Sequence, residues 1–200
     1  SGMSDLTLDP DEDASQNISI QSSGNWTAEF DKQDSDFVSL SVASGVGNRL
    51  STISTRLEVE KNYTQQKREA VLTIQSEHSA NASNLKQQMR ITQDRYVYEV
   101  SVPDMEFEAD KDLTNTSVKG LKCTGDLEVS KPSSASWIKE VRISSSGTLT
   151  VTVEENEETK PREAKVTIQS EDYKSTDSNR KKFQTVFTVK QKAAEVKEEK

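Results

Sequence analysis

Residues 68–77, Arg-Glu-Ala-Val-Leu-Thr-Ile-Gln-Ser-Glu, return as residues 162–171, Arg-Glu-Ala-Lys-Val-Thr-Ile-Gln-Ser-Glu. Eight of the ten positions are identical at a spacing of 94 residues. A unit of that length exceeds the roughly 20–50 residues of solenoid repeats and fits the roughly 100 residues of an immunoglobulin-type sandwich. The 200-residue chain therefore reads as an all-β protein of two tandem immunoglobulin-like β-sandwiches. The first is expected over 1–95 and the second over 96–194, with a charged tail at 195–200; the charged segment from Lys192 to Lys200 should be frayed or weakly helical. Hydrophobic residues make up 31% of the chain, so each copy must close a lean core between two layers.

The clearest periodicity is two. Leu149, Val151 and Val153 fall on one strand face and Thr148, Thr150 and Thr152 on the other. After a polar stretch at 154–161, Ala164, Val166 and Ile168 repeat the inward set. Alternation of this kind marks half-buried antiparallel strands, and the two runs are expected to pair as a hairpin. The first copy repeats them with Leu57 and Val59, then Ala70, Leu72 and Ile74. The closing strands, 89–93 and 187–191, match at an offset of 98, so the loop before them is four residues longer in the second copy. Between the Ser-Gly pairs at 44–45 and 146–147, both expected to be turns, and the next strand, the first copy has eight residues more. They fall within Val46 to Arg56.

Aromatic and polar marks can be read twice. Trp26 aligns with Leu127, and Phe37 aligns with Trp137. A position that accepts Trp or another apolar residue is a core position, so both tryptophans are expected inside. Asn62 aligns with Asn156 between strands and should supply turn geometry. The single cysteine, Cys123, excludes an intramolecular disulfide and reads as a small buried apolar side chain.

Several functions are excluded. The net charge of −8 has both signs interspersed and no basic stripe, which argues against nucleic acid. No apolar run approaches the roughly 18 residues of a membrane span. Ser1-Gly2 reads as the scar of a processing cut. His78, the one histidine, lies in a polar loop without a patterned nucleophile or ligand set. The carboxylates at 9–13 and 154–158 sit in turns, without the desolvation that a glycosidic acid needs. Neither an enzyme nor a cofactor or metal site is expected.

The ordered pattern is an initial strand, a Trp-bearing strand, an aromatic-Val/Ile strand, Asn before Arg-x-Ala-x-Val/Leu-Thr-Ile, and a closing Gln. It resembles the BACON domains, Bacteroidetes-associated carbohydrate-binding modules that are often N-terminal. The matching positions are Trp26, Phe37, Asn62, Arg68, Ala70 and Gln93, then Trp137, Asn156, Arg162, Ala164 and Gln191. There are departures: Leu127 stands where the first copy has Trp26, and Phe37 stands where a Trp would be typical. The resemblance implies a sandwich of seven to eight strands in a secreted or surface-anchored bacterial protein that contacts carbohydrate or mucin. The alternative is a spacer or protein-interaction segment that holds another domain off the cell surface. Tyr63, beside Asn62, and Tyr173, in the late loop of the second copy, are the expected ligand-binding residues.

Overall fold

The structure is a computed structural model that describes residues 3–31, 35–47, 52–77, 86–109, 112–174 and 183–195, with the side chains of 173 and 174 outside the description. The chain divides into two compact units, Ser1–Tyr96 and Val97–Lys200.

The first unit is built from β1 (Leu6–Leu8), β2 (Ala14–Ile20), β3 (Trp26–Phe30), β4 (Val38–Leu40), β5 (Ser44–Gly45), β6 (Ile53–Val59), β7 (Arg68–Ser76) and β8 (Lys86–Gln93). One sheet runs β1-β8-β7-β3-β5 and the facing sheet runs β2-β6-β4. The second unit contains β9 (Tyr98–Glu99), β10 (Met105–Phe107), β11 (Leu113–Asn115), β12 (Lys122–Cys123), β13 (Leu127–Ser130), β14 (Ile138–Ile143), β15 (Leu149–Val153), β16 (Arg162–Ser170) and β17 (Gln184–Gln191). Its sheets are β10-β17-β16-β13 and β11-β15-β14, with β9 and β12 forming a small ribbon. In each unit one strand joins the closing one in parallel: β1 through Leu6 opposite Ile91, and β10 through Met105 opposite Val189.

The period-two runs do bury their apolar faces. Leu57, Ala70 and Leu72 are fully buried in one core, and Leu149, Val151, Val153, Val166 and Ile168 in the other. The expected pairing of those runs is corrected by the structure. β15 lies in one sheet and β16 in the facing one, as do β6 and β7. The hairpins are instead β7–β8 and β16–β17. Alternation reveals which face of a strand is apolar, but both layers of a sandwich present apolar faces to the same core, so parity leaves the partner open. Thr150, expected on the outer face, is buried as well. Tail residues 192–194 do not fray. Lys192 donates its backbone N–H to Phe107 and Ala194 to Glu158.

The two Ser-Gly pairs also differ. Ser146-Gly147 is the expected turn, with Gly147 at a φ of 72°. A Cβ there would lie 2.2 Å from the Leu121 carbonyl oxygen. Ser44-Gly45 is a strand, β5, lying against Trp26 and Thr27. In the first unit the chain passes from β4 to β5 in the other sheet and returns to the sheet of β4 as β6. Residues 48–51 of that stretch lie outside the described residues. Gly147→Ala is expected to lower stability by about 1–3 kcal/mol, since it combines left-handed backbone with a backbone clash. Urea unfolding of the variant checks this.

Candidate functional site

The residues that carry the sequence pattern meet at one end of each unit, where the chain crosses between sheets. Arg68 donates from Nε and Nη2 to Gln93 Oε1 at 3.0 and 2.8 Å, and its Nη2 also reaches the Glu60 carbonyl. Gln93 passes the link on, donating to the carbonyls of Asp9 and Glu12, each at 3.2 Å. Asn62, fully buried, donates to the Gln66 and Asp94 carbonyls at 2.8 and 2.7 Å. The second unit repeats the cluster. Arg162 Nε donates to Gln191 at 2.9 Å and Nη2 to the Glu154 and Glu155 carbonyls, while Asn156 donates to Lys160 and Lys192.

Each arginine also lies over an aromatic ring. Arg68 Cζ is 4.3 Å from the centroid of Phe37, and Arg162 Cζ is 4.9 Å from that of Trp137. Burial lowers the Arg68 guanidinium from its ordinary value, with Glu60 opposing, and the group stays cationic. These partners occupy the donors internally, so the repeated motif is a structural clamp. Glu12 closes its own acidic loop by accepting from the Asp9 N–H. Asn62 does more than shape a turn: its buried amide ties two loops together.

The aromatic residues turn inward. Trp26 is 2% exposed and Trp137 7% exposed, as the alignment requires. Tyr63 is half-buried, with its ring centroid 5.8 Å from that of buried Tyr96. Tyr173 falls in a short 3-10 turn, Glu171–Lys174, after β16. The two tyrosines thus belong to different units, at connections that do not correspond. Cys123 is half-buried rather than fully enclosed, opposite Tyr98 in the β9–β12 ribbon. His78 lies outside the described residues.

Sequence reasoning missed a cleft of about 560 Å³ in the first unit, lined by Met3, Ile18, Ile20, Trp26, Ile74 and Gln87 among others. The Trp26 Nε1 is buried and finds no acceptor among the described residues. Its ring needs Gly45 as a neighbour, because a Cβ there would stand 2.9 Å from Nε1. The signal for this site was the Trp26/Leu127 exchange together with the sheet-crossing residues that follow Gly45.

Two four-to-five-stranded and two three-stranded layers, with β1 and β10 parallel to the last strand of their units, define a tandem of immunoglobulin-like sandwiches. A solved structure of the I9–I11 tandem of titin agrees on that fold, at a TM-score of 0.50 and 10% identity. It covers 94% of this chain and 63% of the titin chain. The family model BACON, described as "Putative binding domain, N-terminal", matches residues 16–94 and 127–192. The chain belongs to the BACON family, with two copies of the domain. A Bacteroides ovatus GH5 xyloglucanase solved with a XXXG heptasaccharide is similar at 16% identity and a TM-score of 0.36, covering 72% of this chain and 28% of that one. The chain thus spans less than two thirds of either structure. No curated protein sequence matches it.

Trp137→Phe, which installs the residue of the first copy, should cost about 1 kcal/mol, whereas Trp137→Ala should cost about 3–5 kcal/mol. Thermal melts of the two variants separate these outcomes. Burial raises the Tyr98 phenol above its ordinary value, with the Thr185 hydrogen bond opposing that rise and Cys123 adding to it. A raised folded value means full stability below the unfolded pKa and loss as pH rises through the folded one. Stability of the second unit should therefore fall above about pH 10, less steeply in Tyr98→Phe. Denaturant midpoints across that range check the slope.

Proposed function

We propose that the chain is a non-catalytic segment of an exported or cell-surface bacterial protein, built to hold a neighbouring domain in place and to contact a polypeptide partner. The observation that supports this most is the inward turn of the aromatic residues. Among the described residues the large exposed hydrophobics are Val42, Val46 and Val186, which offer no flat ring for a sugar to stack on. The carboxylates near the repeated clamp are engaged too: Glu154 pairs with Lys139 and with Arg162. No helix among the described residues is long and apolar enough to cross a membrane.

A second reading, contact with carbohydrate or mucin, is favoured by the family description and by the Trp26 cleft, where Gln75, Gln87 and Ser22 accompany the apolar wall. Oligosaccharide arrays that include plant and mucin-type glycans decide between the two. The protein-contact reading expects no saturable binding. A glycan that binds the full chain and is lost in Trp26→Leu, the second copy's residue, would overturn it.

A further inference from the structure

We infer that the outer edge of β13 in the second unit docks an extended, basic segment of a partner polypeptide, which joins the sheet as an antiparallel strand. The inference deepens the protein-contact reading above and rests on it. β13 ends the sheet β10-β17-β16-β13, and among the described residues no strand lies beyond it. In an antiparallel ladder the N–H and C=O of one residue point to the same side. Ser170 donates its N–H to the Phe183 carbonyl and so faces β17. Leu127 and Val129, opposite Ser170 and Ile168, therefore aim their N–H and C=O groups out of the sheet. Backbone groups left open in this way are a template for strand addition.

The first unit shows the same edge filled. Its β3 corresponds to β13, with Trp26 in the place of Leu127 and Ala28 in the place of Val129. Ala28 donates its N–H to the Ala43 carbonyl at 2.7 Å, and β5 pairs with Trp26 and Thr27. With that strand in place Trp26 and Ala28 are buried, whereas Leu127 and Val129 are half-buried. β5 comes from the stretch between β4 and β6. The corresponding stretch of the second unit, 144–148, is the tight turn at Gly147, in which Ser144 donates its N–H to the Thr148 carbonyl. That stretch is spent in the turn and leaves the edge to another strand.

Charge selects the occupant. Glu128 on β13 is exposed, and so are Asp126 and Glu171, which meet at its start through the Glu171 N–H and the Asp126 carbonyl. Lys131, at the far end, holds its ammonium on the Ala135 carbonyl at 2.9 Å. A second copy of this chain, with a net charge of −8, would bring the same carboxylates to the edge, like charge against like. A strand that sets apolar residues beside Leu127 and Val129 and lysine or arginine beside Glu128 matches both faces.

The test uses the full chain and a short synthetic peptide of alternating valine and lysine with blocked ends. One comparison peptide carries glutamate in place of lysine. The other is methylated at the valine backbone nitrogens, which removes the ladder and keeps the side chains. Chemical shifts and hydrogen exchange of the Leu127 and Val129 amides follow the titration. The lysine peptide should protect both amides and bind roughly tenfold or more tightly than either comparison peptide. Glu128→Lys, at an exposed position, should erase the preference for lysine over glutamate without lowering the melting temperature. Val129→Pro, which removes an N–H that the sheet itself does not use, should abolish protection at Leu127. No protection of these amides, or an equal response to the methylated peptide, would overturn the docking edge and leave the protein-contact reading standing. An equal response to the glutamate peptide would overturn the basic occupant. Self-association of the chain that protects the same amides without peptide would give the edge to a second copy and overturn the partner assignment. The protein-contact reading itself is decided separately, by the oligosaccharide arrays and Trp26→Leu.

Discussion

The arginine–glutamine pair at each sheet crossover is the contact on which the rest of each unit depends. The chain must leave one layer and enter the other at 60–67 and again at 154–161, and a crossing segment forfeits the ladder that satisfies its backbone. Arg68 and Arg162 supply the missing donors to carbonyls of that segment, while Gln93 and Gln191 fix the arginine and hold the loop or strand beside the opening strand. Asn62 and Asn156 close the same loops from inside. Because the arginine stem and guanidinium also cover Phe37 or Trp137, polar satisfaction and core sealing occur at a single place. Removing one member would leave several buried groups without partners, which costs more than the bond itself.

At the other end of the β7–β8 and β16–β17 hairpins the copies diverge. In the first, β5 lies along β3, the strand that carries Trp26, and a cleft opens between the layers. In the second, a tight turn at Gly147 replaces the excursion, β13 keeps β16 as its one sheet neighbour, and Tyr98 with Phe183 closes the end. A shared clamp with a variable opposite end is the division expected of a binding scaffold, in which packing fixes the frame and the connections carry the differences.

Much of this was legible in the residues. Parity identified the inward faces of β6, β7, β15 and β16, and comparison of the copies placed Trp26 and Trp137 in the cores. The alignment also isolated Val46 to Arg56 as the place where the copies part. Partners were a different matter. The hairpin expected between the threonine-rich run and the Arg-Glu-Ala run proved to be a sheet-to-sheet crossover. Ser44-Gly45, expected as a turn, is an edge strand. Tyr63 and Tyr173 stood out because they neighbour loops, yet they lie in separate units, and the cleft draws instead on four strands and a loop distant in sequence.

The sequence by itself determined that there are two copies, that they are all-β, which side chains face inward, and that the family is BACON, because repetition and alternation are local properties of the chain. Tertiary structure alone decided which strands share a sheet, that Asn, Arg and Gln serve as a clamp rather than as ligands, and that a cleft lies beside Trp26 in the first unit. Several of those outcomes depend on contacts between residues far apart in the chain, such as Leu6 opposite Ile91 and Met105 opposite Val189. In a two-layer sandwich many such pairings satisfy the same pattern of inward faces, and only the packed molecule selects one.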